Sequence, residues 1–155
     1  MSGEKAIAAS LDRAVKSVLA EYDFSPGVAF RLVNVSENWT YRVEDPATGR
    51  SAALRVHRPN YHSREEIESE LIWIDALRGA SVVNAPAPIA ARDGGRVRTV
   101  AVANGPARHV TLFDWLPGAA PSADADLIPS FGRLGDLAAR MHLFGIGWQR
   151  PASFR

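Results

Sequence analysis

The sequence predicts an α+β fold built around an antiparallel sheet. Three observations support this class: a leading segment with helical periodicity, three consecutive segments whose apolar residues alternate, and a capped helix followed by more short alternating segments. The 155 residues are 46% hydrophobic and 23% charged, which are ordinary values for a globular protein and rule out a mainly disordered chain. A chain of this length forms one average domain with a real core.

Charge and cysteine content exclude several classes of function. The 18 Lys and Arg residues nearly balance the 17 Asp and Glu residues, so we expect no nucleic-acid partner and no membrane partner. The sequence has no Cys, which excludes disulfide scaffolds, thiolate zinc sites and cysteine nucleophiles. The first residues lack the order of a signal peptide, and no apolar run approaches the ~20 residues of a bilayer span. A cytoplasmic location is therefore expected.

The first half of the chain is predicted to contain one helix and three antiparallel strands. Apolar residues recur at three- and four-residue steps over residues 4–22, which predicts the helix. Strands are predicted over residues 28–57, where apolar residues alternate and two loops, residues 34–38 and 45–49, interrupt the pattern. The alternating positions are Phe30, Leu32, Trp39, Tyr41, Val43, Leu54 and Val56.

A second helix is predicted over residues 63–78. Ser63 and Glu66 have the spacing of a capping box, in which each side chain accepts a hydrogen bond from the other residue's backbone amide. Gly79 is suited to the left-handed position after the helix. The buried stripe is predicted to consist of Ile67, Leu71, Ile74 and Leu77.

The last part of the chain is predicted to add two or three strands, a linker and a helix. The strands are expected near residues 89–91, 97–102 and 110–115, with a hairpin turn at Asp93-Gly94-Gly95. Residues 118–129 are rich in Ala, Pro and Asp and are predicted to form the linker. The helix is expected over residues 130–143, ending at Gly145, with Phe131, Leu134, Leu137, Ala138 and Met141 as its apolar residues.

Glu70 is the most informative single residue. At about 100° per residue it lies about 60° from Ile67 and about 40° from Ile74, so the carboxylate falls on the apolar stripe, where it is costly unless paired. Arg55 is a candidate partner because it lies in the strand just before this helix. Two interpretations remain open. In the first, Glu70 forms a structural ion pair or lies in water at the edge of the stripe. In the second, Glu70 clamps the strand cation Arg55, and this cation holds nucleotide phosphates, as the strand Lys and helix Glu do in kinases.

Two further segments carry weaker signals. The loop of residues 34–38 either covers nucleotide phosphates, as the corresponding loop of a kinase does, or is a plain hairpin loop. It has no Gly for a close backbone approach, but Ser36 and Asn38 are able to donate hydrogen bonds. Residues 111–118 form either an edge strand that ends in a turn or a hinge whose backbone meets a nucleobase. The four His residues show no metal-binding spacing, and no Walker A or G-x-S-x-G motif occurs.

Taken together, five segments resemble the aminoglycoside phosphotransferase family, the kinase-like phosphotransferases that include homoserine and choline kinase relatives. The resemblance covers about residues 25–145, with the motifs in the family's order. The carrying segments are Ser36 to Val43, Ala53 to Pro59, Glu68 to Leu71 with Trp73, Leu112 to Gly118, and Leu134 to His142.

The resemblance implies a protein-kinase-like N-terminal lobe over residues 1–117, with a five-stranded sheet and a leading helix within residues 1–24. Residues 118–155 would be the linker and the first helices of a truncated C-terminal lobe. Arg55 falls where the family binds phosphate, and Glu70 falls on the helix Glu that holds it. By the same resemblance, the Asp114 carbonyl and the Leu116 amide would meet the adenine edge, and Ser36 and Asn38 would lie at the phosphates of ATP.

The family's catalytic loop, H-x-D with a later Asn, and its metal-binding Asp do not occur in this sequence. Asp124, Asp126 and Asp136 are expected in the linker or on a helix surface. No catalytic residue and no ligand of the expected Mg²⁺ is therefore assigned within the chain. We expect the N-terminal, ATP-binding part of a larger enzyme that phosphorylates a small-molecule hydroxyl, itself inactive without the C-terminal lobe. The alternatives are a non-catalytic kinase-like module for nucleotide binding or protein interaction, and a plain scaffold without a nucleotide site.

Overall fold

The computed structural model describes residues 2–103, 105–119 and 127–155, which contain three helices and six strands. The helices are α1 (Ser2–Leu19), α2 (Arg64–Gly79) and α3 (Ile128–Gly147). The strands are β1 (Ala29–Val35), β2 (Trp39–Asp45), β3 (Arg50–Val56), β4 (Pro88–Ile89), β5 (Val97–Val100) and β6 (Arg108–Asp114). The predicted α+β class is confirmed. None of the helices described here is both long and apolar enough to cross a bilayer.

All the strands belong to one antiparallel sheet. Its order is β1-β2-β3-β6-β4, and β5 also pairs with β6. Strand β3 is therefore central, between β2 and β6. Because side chains alternate across a strand, the register puts Leu54 beside Tyr41 and Leu112 on one face, and Arg55 beside Thr40 and Thr111 on the other.

Helix α1 covers the first face of the sheet. Its apolar stripe is fully buried apart from Ile7, which is 45% exposed. The stripe joins the inward residues of β2, β3 and β6 in the larger core cluster, which includes Leu11, Val15, Val18, Tyr41, Val43, Leu54, Val56 and Leu112. The helix ends at Leu19 rather than at residue 22, and Arg92 binds the backbone beyond its end by donating to the carbonyls of Ala20 and Tyr22.

Helix α2 packs on the opposite face, as predicted. Ile67 and Leu71 contact Val97 and Phe113 in a second, smaller cluster. The predicted capping box is present: Ser63 Oγ accepts from the Glu66 amide at 3.2 Å, and Glu66 Oε2 accepts from the Ser63 amide at 2.7 Å. This cap fixes where α2 begins after β3.

The end of α2 differs from the prediction. Gly79 is the last helical residue and is not left-handed; Ser81 takes that position with φ of 56°. The Ser81 amide donates to the Arg78 carbonyl and the Val82 amide donates to the Leu77 carbonyl, both at 2.9 Å, which is the hydrogen-bond pattern of a Schellman motif. The prediction was wrong because Gly79 and Ala80 still belong to the helix end, so the left-handed residue comes two positions later, at Ser81.

Two other features differ from the sequence-based expectation, and one expectation lies mostly outside the described residues. The sheet has six strands within the described residues, not the five implied by the family resemblance, because Pro88–Ile89 forms a two-residue strand on β6. Helix α3 extends to Gly147, since Gly145 continues the helix instead of ending it. Most of the predicted linker, with Asp124 and Asp126, lies outside the described residues.

Candidate functional site

Arg55 occupies the middle of the sheet on the face that α2 covers. Strand register places it between Thr40 of β2 and Thr111 of β6. Its guanidinium carbon lies 5.2 Å from the centre of the Phe113 ring. Phe113 is 3% exposed, so the planar guanidinium rests on a fixed aromatic surface.

Glu70 of α2 meets Arg55 in an ion pair. Arg55 Nη1 donates to Glu70 Oε1 at 2.7 Å, and the two side chains are 34% and 40% exposed. The predicted pairing therefore exists, and the carboxylate lies at the edge of the apolar stripe rather than within the core. A pair this exposed contributes about 0–1 kcal/mol to stability. One edge of the guanidinium is held by Glu70, and its other N–H groups face a partly open surface.

The loop between β1 and β2 is held beside the end of β3. The Asn38 Oδ1 accepts from the Arg58 amide at 3.1 Å, and Glu37 forms an ion pair with Arg58 at 2.8 Å. Within the loop, the Ser36 amide donates to the Asn38 carbonyl at 3.1 Å. These contacts give a loop without Gly a defined position next to the strand that carries Arg55.

The segment after β6 lies at the other end of β3. Register pairs Asp114 with Ala52, three residues before Arg55 and therefore roughly 10 Å along the strand. The Asp114 amide donates to the Ala87 carbonyl at 2.9 Å. Leu116 is 38% exposed, and its amide has no hydrogen-bond partner within the described residues. The structure thus leaves a backbone donor accessible here.

His57 contributes a neutral side chain next to this site. It is 4% exposed, and its Nε2 lies 3.1 Å from Thr111 Oγ1. Burial, followed by the positive charge of Arg55, lowers the pKa of His57 to about 4. His57 is therefore uncharged at neutral pH, whereas Arg55 is a permanent cation.

The residues present fit the anionic and polar groups of a nucleotide. Within the described residues, the Arg55 guanidinium has a hydrogen bond only to Glu70 and the Leu116 amide has none, so both have donors that could meet anionic or polar groups of a ligand. By contrast, residues 2–103, 105–119 and 127–155 contain no cluster of three or more His, Asp or Glu side chains able to hold a metal ion. Asp136 of α3 is exposed and pairs with Arg140 at 3.0 Å.

Comparison with known proteins is consistent with this geometry. The family model described as "Phosphotransferase enzyme family", APH, matches residues 31–155. This chain belongs to the phosphotransferase enzyme family. The resemblance stated from the five sequence segments is therefore confirmed. No curated protein gives a significant match.

Two solved structures share the fold. A microcompartment-associated aminopropanol kinase is 43% identical, with a TM-score of 0.79, and the match covers 91% of this chain and 42% of that protein. The amicoumacin kinase hAmiN, solved in complex with AMP-PNP, Ca²⁺ and Ami, is 22% identical with a TM-score of 0.76 over 97% of this chain and 45% of that protein. The phosphotransferase chain therefore spans less than half the length of these kinases.

Sequence reasoning missed the groups that hold the site in place. It did not identify Phe113 under Arg55, Thr111 beside His57, or Arg58 as the anchor of the Ser36–Asn38 loop. Each contact joins residues on different strands or loops. Arg55 and His57 are two residues apart, so alternation puts both on one face, but only the register between β3 and β6 identifies their partners.

Proposed function

We propose that this chain is the N-terminal, ATP-binding portion of a phosphotransferase that moves the γ-phosphate of ATP to a hydroxyl group of a small molecule. The observation that carries the proposal is the Arg55–Glu70 pair at 2.7 Å, on the sheet face between an anchored loop and an exposed backbone donor. The family and the kinase neighbours support the reaction class.

Each proposed binding residue has a distinct role. Arg55 binds phosphate oxygens with the N–H groups that Glu70 leaves free, and Glu70 fixes the direction of the guanidinium. In this proposal Ser36 and Asn38 contact the phosphates, and the Asp114 carbonyl and Leu116 amide bind the adenine edge. These contacts orient ATP but do not activate a hydroxyl group.

The catalytic base and the Mg²⁺ ligands would belong to a C-terminal lobe beyond residues 1–155. Bound Mg²⁺ would neutralise charge on the phosphates, and the base would accept the proton of the acceptor hydroxyl. In this proposal the lobe boundary lies at residues 117–118, so α3 is the first helix of the second lobe. Its exposed apolar residues support this assignment: Phe131 is 66% exposed and Leu134 58% exposed.

The proposed acceptor class is based on the more similar of the two solved structures reported above, the aminopropanol kinase. The aminopropanol kinase is 43% identical to this chain, which supports an amino alcohol as the acceptor in the complete enzyme. A coupled assay of a polypeptide that includes the second lobe, with amino alcohols, aminoglycosides and choline-like acceptors, tests this point. Turnover of amino alcohols in preference to the others is expected; exclusive turnover of another class would contradict the acceptor assignment alone.

Nucleotide binding itself is testable on the 155-residue chain. We expect an affinity around millimolar, about −4 kcal/mol, because only one side of the site is present. Arg55→Ala removes a hydrogen bond to a charged group and should weaken ATP binding by about 10- to 150-fold. Arg13→Ala is the matched control, since it removes an exposed Arg from α1 on the opposite face. Equal affinities for both variants would contradict the proposed role of Arg55.

The second candidate is a non-catalytic kinase-like module. Within residues 1–155 none of His57, His62, His109 and His142 is followed by Asp at the second position, so these residues by themselves supply no H-x-D catalytic loop. ATP binding without turnover, even in a polypeptide extended beyond residue 155, would support this alternative. Mg²⁺-dependent phosphorylation by the extended polypeptide would exclude it.

A further inference from the structure

The position of α2 depends on two different surfaces. One surface is the sheet, which α2 contacts through Ile67 and Leu71, each 1% exposed. Glu70 lies between these two residues in sequence but at the edge of the contact, where its side chain is 40% exposed. The distance between the Glu70 carboxylate and Arg55 therefore depends on the rotation of α2 about its axis.

The second surface is an aromatic cluster formed with the end of α3 and the segment after it. Trp73 of α2 lies 5.6 Å from Phe144 and 4.6 Å from Trp148, measured between ring centres. Trp148 in turn meets Phe154 edge-on at 4.9 Å. Trp73 follows Glu70 by three residues, so the two side chains are neighbours on the helix surface.

A hydrogen bond also attaches the segment after α3 to Ser69 of α2, the residue before Glu70. The Arg155 amide donates to Ser69 Oγ at 2.9 Å, and this hydroxyl donates to the Glu65 carbonyl at 2.9 Å. Ser69 is 4% exposed and Arg155 is exposed, so the bond is partly buried. Residues 148–155 therefore contact α2 on both sides of Glu70, at Ser69 and at Trp73.

The space beneath these contacts is open. A cavity of about 590 Å³ lies between α2 and residues 148–155, with Glu70, Trp73, Trp148 and Phe154 in its wall. The Trp73–Trp148 ring contact and the Arg155–Ser69 hydrogen bond connect residues 148–155 to the helix beside this cavity.

We propose that residues 148–155 form a positioning strap that holds α2 at the rotation where Glu70 meets Arg55. The strap couples the chain after α3 to the proposed phosphate-binding cation. Trp148 is its positioning residue, and Ser69 is the residue of α2 to which the Arg155 amide of the strap binds. The effect on ATP affinity rests on the proposed function, whereas the effect on α2 does not.

The first test measures amide hydrogen exchange in the 155-residue chain. Trp148→Ala removes the ring that contacts both Trp73 and Phe154 and should speed exchange in residues 66–78 by about three- to tenfold, with β2 and β3 unchanged. Trp148→Phe should retain most of the protection. Gln149→Ala is the control, because Gln149 is exposed in the same segment. No change in residues 66–78, or an equal rise throughout the chain, would overturn the strap.

The second test is a double-mutant cycle on ATP affinity. Trp148→Ala should weaken ATP binding by about three- to tenfold when Glu70 is present and should have no further effect in a Glu70→Gln background. An undiminished effect in that background would overturn the coupling through Glu70. If Trp148→Ala does not fold, Phe154→Ala replaces it in both tests. If the Trp148 substitution does not speed amide exchange in α2, the strap is refuted. If it does speed exchange but the wild-type chain does not bind ATP, only the proposed function is refuted.

Discussion

Removing the Glu70 carboxylate should change stability very little. The two side chains are joined through Arg55 Nη1 and Glu70 Oε1, 2.7 Å apart, and both are at least one-third exposed. Solvent screening and the entropy of ordering two long side chains leave a coupling of about 0–1 kcal/mol for such a pair. The stacking of Arg55 on Phe113 adds about 0.5–1 kcal/mol that Glu70 substitutions do not remove.

Urea unfolding of the wild type, Arg55→Ala, Glu70→Ala and the double variant measures this coupling. The Arg64–Glu68 pair is the matched control, because its atoms are 2.9 Å apart and its side chains are 47% and 45% exposed. That helix pair should give a coupling of about 0.3–0.5 kcal/mol. A coupling above ~3 kcal/mol for Arg55 and Glu70 would be typical of a buried ion pair and would refute the reasoning from exposure.

Three further outcomes are expected. Ser63→Ala should destabilise the protein by about 0.5–2 kcal/mol through loss of the α2 cap, and Ser63→Asp should restore most of it in thermal unfolding. The pKa of His57 is lowered to about 4, so the folded state binds fewer protons than the unfolded state, and stability should fall as pH drops from about 6.5 to 4. His57→Gln should flatten this part of the plot of stability against pH. An unchanged plot would contradict the assignment of this pH dependence to His57. The 155-residue chain should not transfer phosphate from ATP to any alcohol in a coupled assay, and Mg²⁺-dependent turnover would show that it contains a catalytic carboxylate.

The elements of the fold were predictable where local pattern and local chemistry agree. Tyr41 and Val43, and Leu54 and Val56, alternate as half-buried strands require, and all four are buried on one face. Ser63 and Glu66 identified the start of α2 because a capping box involves residues only three apart. The end of α2 was less predictable, since Ser81 adopts a conformation usually taken by Gly.

The site was predictable only in part. Arg55 and Glu70 were paired correctly because the strand and the following helix are adjacent in sequence. Trp73 and Trp148 lie far apart in the chain, and their contact depends on how α3 meets α2, which no periodicity encodes. Contacts that arise from tertiary packing therefore could not be predicted from the sequence and were found only in the structure.

The central claim is that one sheet face of this chain binds ATP between the Ser36–Asn38 loop and the segment after β6. An ATP titration followed by amide and arginine side-chain NMR tests it most directly. The account predicts concentration-dependent shifts of the Asn38 and Leu116 amides and of the Arg55 guanidinium, with the α1 residues on the opposite face unaffected. Absence of any shift in these three groups at saturating ATP, or shifts confined to α1, would contradict it.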